Sequence, residues 1–176
     1  MVHNLGDSAH ISTEEMWDLI NISYLQNNQP VMYGLATDDS HHYHEKGSNW
    51  SNAGRGWIMV QTDSLTPASL IAAMEEGKFY ATTGVILEKL EFDENKLSIE
   101  AAQEAGITYT ISFIGCKKGK PSSEEFMSMT GSMASFKLTK DVLFVRCKIT
   151  SSKLHSNPIE QILYEMAWTQ PVTKMP

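Results

Sequence analysis

Basic residues are scarce in this sequence: 14 lysines and arginines stand against 21 aspartates and glutamates, a net charge of -7 with histidine neutral. No Lys or Arg cluster could neutralise a row of phosphates, which argues against nucleic acid or an anionic membrane as the main partner. An anionic substrate would need a metal. The one basic run, Lys117, Lys118 and Lys120, is broken by Gly119 and followed by Pro121, and reads as a solvated hairpin or loop. No stretch approaches the ~20 apolar residues of a membrane span, and the N-terminus lacks the basic-then-apolar order of a signal peptide. A soluble chain without a targeting signal is expected, its compartment left open. Cysteine is nearly absent too: Cys116 and Cys147 both fall at or near strand-like segments, where a buried free thiol is the expected state and a disulfide the alternative. There is no internal repeat and no low-complexity tract.

What is present is an ordinary globular composition, 41% hydrophobic and 20% charged over 176 residues, enough for one or two modest cores. Its most informative stretch is Val31 to Ala36, β-branched, aromatic or small, which follows Pro30 and stops in Thr37-Asp38-Asp39-Ser40-His41-His42-Tyr43-His44. The apolar run is too short for a globular helix and predicts a buried strand. In an extended chain Asp39 and His41 point to the same side, and a carboxylate beside an imidazole suits zinc, manganese or iron. The alternative is a solvated, histidine-rich loop.

Local signals place the other elements. Ser12 with Glu15 three residues on makes a capping box, Glu14 and Glu15 favour the positive helix end, and Met16, Trp17, Leu19, Ile20 and Tyr24 give an apolar face; Trp17 is expected in the core and Asp18 in solvent. The polar loop from His42 to Gly56 contains Arg55, a candidate for holding an anionic oxygen through its planar fork of donors, with a plain surface arginine as the alternative. Asp38, His42 and His44 are candidates for outer contacts to a metal or substrate. Trp57 to Thr62 predicts a strand, Thr66-Pro67 a helix start, Gly77 its stop, and Phe79 to Thr82 another strand. From Val85 the period becomes two. Segments 86–92, 96–101, 107–114, 133–138, 142–149 and 162–168 all read as strands with one dry face, which suggests a small antiparallel sandwich.

The run Gly34-Leu35-Ala36-Thr37-Asp38-Asp39-Ser40-His41, then Gly56-Trp57-Ile58-Met59-Val60, then Leu65-Thr66-Pro67 leading to Gly77-Lys78-Phe79-Tyr80-Ala81-Thr82-Thr83-Gly84, resembles the closing section of the PHP superfamily. These are metal-dependent phosphoesterases of the polymerase and histidinol phosphatase type. Ala167-Trp168-Thr169-Gln170-Pro171 looks like the terminal motif of the branch with a β-rich domain after the barrel. The similarity runs over nearly the whole chain and keeps the order of the motifs. It implies an α/β plus all-β chain: residues 1–84 as the C-terminal segment of a distorted β/α barrel, residues 85–176 as a β-sandwich-like domain.

The same resemblance shows what is missing. Family members carry a His-x-His pair and further Glu and His ligands on early barrel strands, and His3 has no neighbour at ligand spacing. The chain is therefore expected to be the C-terminal part of a longer hydrolase, keeping Asp39 and His41 as one corner of a divalent metal centre. Alone it should bind metal weakly and hydrolyse phosphate esters poorly or not at all. A non-enzymatic module whose sandwich recognises a sugar or a protein is the alternative, with exposure of Tyr109, Tyr164 and Trp168 as the discriminating feature. Open barrel edges would in addition favour a homo-oligomer.

Overall fold

The computed structural model describes residues 6–159 and 162–174, and His3 lies outside them. Helix α1 (Thr13–Gln26) begins where the capping box places it: Ser12 is extended and its side chain accepts from the Glu15 N–H at 3.0 Å. Helix α2 (Pro67–Glu75) starts in the same way, with Thr66 accepting from the Ser69 N–H. The strands are β1 (Trp57–Val60), β2 (Phe79–Thr82), β3 (Leu87–Asp93), β4 (Lys96–Ala101), β5 (Tyr109–Lys117), β6 (Glu124–Thr130), β7 (Met133–Lys137), β8 (Val142–Ile159) and β9 (Ile162–Thr169).

They form two antiparallel sheets, one of six strands in the order β1-β2-β9-β8-β5-β6 and one of three in the order β3-β4-β7. Alternation explains how they stack. Val145, Cys147 and Ile149 of β8 face the small sheet with Ile111 and Phe113 of β5, meeting Leu97 and Ile99 of β4 in one dry core. Phe113, Phe136 and Phe126 stack across that core with ring centroids 5.6 and 5.4 Å apart. The opposite face of the large sheet takes α1. Ile22 packs on Cys116 and Phe144. Because Cys116 and Cys147 belong to opposite faces, both thiols are free and buried.

The expected barrel segment is not there: among the described residues no β/α barrel is formed. The two strands assigned to it, β1 and β2, instead extend the sandwich, since Ala81 pairs with Trp168 of β9. Strand pairing across residue 84 thus joins both halves of the sequence in one sheet. Strand β6 escaped the pattern reading because Glu124-Glu125-Phe126-Met127-Ser128-Met129-Thr130 lies at a sheet edge and is wet on most positions.

Val31 to Ala36 is a second correction. It is not a sheet strand, although exposure still alternates along it, with Gly34 and Ala36 buried, Leu35 exposed. It lies across the outer face of the large sheet, Ala36 against Ala81 and Trp168 and Tyr33 edge-on to Phe79. Side-chain amides replace a neighbouring strand. Asn21 Oδ1 accepts from the Met32 N–H at 2.8 Å while its Nδ2 donates to the Met32 carbonyl, and Gln170 does the same to Gly34 at 2.8 and 2.9 Å. The backbone is satisfied without a sheet partner.

A third correction concerns Asp18, which is buried rather than solvated. Its carboxylate takes a side-on pair of bonds from Arg146, Oδ1 to Nε at 2.7 Å and Oδ2 to Nη2 at 3.0 Å, and a further bond from Ser123. Glu14 completes the cluster through Arg146 and Lys148. This ion group fastens α1 to β8.

Candidate functional site

The loop that carries the candidate ligands is built around Asp38. Its carboxylate accepts three consecutive backbone N–H bonds, from Gly54 at 2.7 Å, Arg55 at 2.6 Å and Gly56 at 2.6 Å. Such a nest stitches residue 38 to the start of β1 and fixes where the chain turns out of the extended segment. Gly56 packs beside the extended segment, where an added Cβ would make ordinary contact, 3.4 Å, with the Ala36 Cβ and the Thr37 carbonyl. Asp38 is thus occupied as a loop clasp. Replacing it with alanine is expected to strand three backbone donors and weaken the loop by about 2 kcal/mol, the worth of charge-assisted bonds. Amide exchange at Gly54, Arg55 and Gly56 should accelerate, with β8 unchanged.

Arg55 is also occupied. It is buried, and its guanidinium donates to the Asn157 carbonyl and side-chain oxygen at 2.8 and 2.9 Å, to the Gly47 carbonyl at 2.7 Å and to the Trp50 carbonyl. Burial pulls its pKa down, and the Asp38 carboxylate opposes that. The fork that would hold a substrate anion holds the loop against β8 instead. Asn52, also buried, donates to the His42 and Glu45 carbonyls and accepts from Asn157. His155 lies buried in β8, with Nδ1 accepting from the Asn157 N–H. The sequence offered Arg55 as a motif-like residue but carried no sign of Asn157, 102 residues away, as its partner.

On this frame Asp39 and His41 stand at the surface. Asp39 has φ of 49°, the left-handed region that aspartate tolerates, and so the chain reverses there rather than running on as a strand. The backbone N–H groups of His41 and His42 both donate to the Ser51 carbonyl at 2.9 Å, which holds the turn. His41 Nδ1 lies 2.6 Å from the Asp39 carbonyl oxygen and 3.8 Å from its carboxylate Oδ1. A carbonyl can only accept, which places a proton on Nδ1 and leaves the lone pair of the neutral ring on Nε2. A metal-ligating histidine has this arrangement, its second nitrogen donating to a carbonyl or carboxylate. Both side chains are about two-thirds exposed or more, 72% for Asp39 and 66% for His41.

The remaining candidates do not join them. His42 turns its ring onto Trp50, with centroids 4.8 Å apart, and its Nδ1 accepts from the Ser51 N–H. His44 is exposed on the loop. Among the described residues no group of three or more His, Cys, Asp or Glu side chains converges as a metal site. Of the candidate ligands, the structure brings Asp39 and His41 together, with the Asp39 carboxylate 3.8 Å from Nδ1, the nitrogen already bonded to the Asp39 carbonyl. A groove of about 620 Å³ lies elsewhere, between the two sheets beside Met59, Tyr80, Leu90 and Phe92. No helix among the described residues is long and apolar enough to cross a membrane. Comparison of the chain with protein-family models, with curated proteins and with solved structures returns no match.

Proposed function

We propose that the chain supplies the Asp39 and His41 corner of a divalent metal centre that hydrolyses a small phosphate ester, with the remaining ligands coming from outside the described residues. The observation that carries this reading is the His41 ring, whose Nδ1 faces the Asp39 carbonyl at 2.6 Å and leaves Nε2 open. The resemblance of Gly34 through His41 to the PHP closing motif supports the reaction class. A divalent ion bound there supplies a Lewis acid and a water of lowered pKa. The chain's own residues do the positioning: Asp39 and His41 offer the donors, Asp38 clasps the turn that presents them, and Arg55 pins the loop to β8. Substrate anion binding then falls to groups other than Arg55.

The sugar-binding alternative draws less support, because Tyr109 and Trp168 are buried and, of the three aromatics named for it, Tyr164 is the exposed one.

Manganese titration of the purified chain, followed by proton NMR of the histidines, tests the proposal. Weak binding is expected, broadening the His41 signals before those of His10 and His44, and the binding should weaken at least about tenfold in Asp39→Ala, the change for one lost charged contact. With an aryl phosphate the chain alone should give little turnover. Equal broadening of all exposed histidines, unchanged in Asp39→Ala, would remove the metal assignment. Robust turnover abolished by Asp39→Ala would instead show that the centre needs no further ligands.

A further inference from the structure

Edge strands are where sheets meet other chains, and proteins guard them with charge, proline or bulges. Among the described residues, three of the four sheet edges are guarded in that way. β3 carries Glu88, Lys89, Glu91 and Asp93 and a register shift between Leu87 and Lys89. β6 opens with Glu124 and Glu125 and is shifted opposite Phe113 and Ile114. β7 ends in the charged Lys137. β1 is different. It ends the six-stranded sheet, and its four residues, Trp57, Ile58, Met59 and Val60, include no charge, no proline and no bulge.

The hydrogen-bond phase of that edge can be read directly. Gln61 donates its N–H to the Lys78 carbonyl at 2.8 Å, so Gln61 and Lys78 form a bonded pair. By alternation Met59 with Tyr80 and Trp57 with Thr82 are bonded pairs as well. The N–H and C=O groups of Ile58 and Val60 therefore point away from β2, toward the open side. Trp57 and Met59 share the face turned to the small sheet and stay 36% exposed, because the large sheet overhangs it.

We infer that this edge is an interface between two copies of the chain, joined by antiparallel pairing of β1 with its own mate across a two-fold axis. The strand is its own complement. With the axis at Met59, Ile58 of each copy exchanges both backbone bonds with Val60 of the other, and Met59 meets Met59 in the close, non-bonded position. The pairs from Ile58 to Val60 are apolar and Trp57 falls opposite the neutral Gln61, so although each copy carries a net charge of -7, no like charges meet within the paired segment. Repulsion between the two acidic bodies is long-range and screened, so added salt strengthens the pairing.

Sedimentation of the whole chain is expected to show a mass moving from 19.7 kDa toward twice that value as concentration rises, more readily at high salt. Met59→Cys should form a disulfide-linked dimer on mild oxidation, since the native thiols Cys116 and Cys147 are buried. Val60→Pro removes only an outward-pointing N–H and is expected to weaken dimerisation about tenfold or more, two bonds being lost per dimer by symmetry. Its circular dichroism should match wild type, and Ile58→Lys should behave alike. A chain that stays monomeric throughout overturns the inference. So does a dimer indifferent to Ile58→Lys and Val60→Pro, or a Met59→Cys dimer that does not cross-link. A monomer whose Ile58 and Val60 amides become protected only by an added apolar, extended peptide would assign the edge to a foreign strand and overturn it too.

Discussion

Arg146→Ala is expected to cost about 3–5 kcal/mol of folding stability, the penalty for removing one partner of a buried ion pair. In a chain of this size that lowers the thermal midpoint by roughly 10 °C or more. The reason lies in what remains. Arg146 is 1% exposed and Asp18 3%, so truncation leaves a buried carboxylate without its cation. The guanidinium lies over the Trp17 indole, 5.1 Å from the ring centroid, so truncation also opens a gap between α1 and β8. Replacing both Asp18 and Arg146 by leucine should restore most of the loss, because a buried pair exchanged for apolar groups is often neutral or better. Urea unfolding of the single and double variants measures this. A single-variant cost below about 1 kcal/mol, the range of exposed pairs, would mean the cluster is solvated in solution.

The same cluster sets an acid limit. Burial alone would raise the Glu14 pKa, but the charges of Lys148 and Arg146 outweigh it and hold the carboxyl below the ordinary glutamate range. A group depressed in the folded state stabilises fully above its unfolded value and loses that contribution as pH falls through the folded one. The Arg146→Ala chain should therefore lose less stability on acidification than wild type.

What was legible beforehand was whatever the chain decides locally. Ser12 and Thr66 announce their helices within three residues, and alternation in Ile107 through Phe113 or Leu143 through Ile149 shows which faces are dry. Partners distant in sequence were not legible. Asp18 reads as solvent-facing because nothing near it in sequence neutralises it, and its cation is 128 residues away. Val31 to Ala36 has the composition of a core strand and meets the amides of Asn21 and Gln170 instead, the latter 136 residues on. For that reason a segment read as part of a barrel became a strap across a sandwich. Asp39 and His41 lie close for another reason than the extended-chain geometry that suggested them: a left-handed Asp39 turns the chain there, and it carries no sequence mark beyond its being an aspartate.

Gly115→Ala is the second large effect, expected to destabilise by about 3 kcal/mol or more, at or beyond the upper end for overpacking. Glycine is needed here for space. A Cβ on Gly115 would lie 2.1 Å from the Phe144 carbonyl oxygen and 3.0 Å from the Val145 Cα, both backbone of β8, and 2.7 Å from the Phe126 ring. A side chain could swing aside, but the central ladder of the large sheet cannot. β5 crosses this point between two register shifts, one against β6 at Phe113 and Ile114 and one against β8 at Cys116 and Lys117. The substitution must therefore push β8 away from β5, and β8 is the strand that carries Arg146 to Asp18. Gly119→Ala is the control: it has a positive φ of 76° but no atom within 4 Å of its Cβ, so it should cost only the ~1–2 kcal/mol of a left-handed alanine. Thiol labelling separates the two cases as cleanly as urea unfolding. Cys116 and Cys147 flank the displaced ladder on opposite faces, and burial pushes both thiols up in pKa, so neither reacts in the native chain. In Gly115→Ala both should label well before the rest of the fold is lost, whereas in Gly119→Ala they should label only with global unfolding. Equal stability of the two variants would mean β5 and β8 are farther apart in solution than their pairing here.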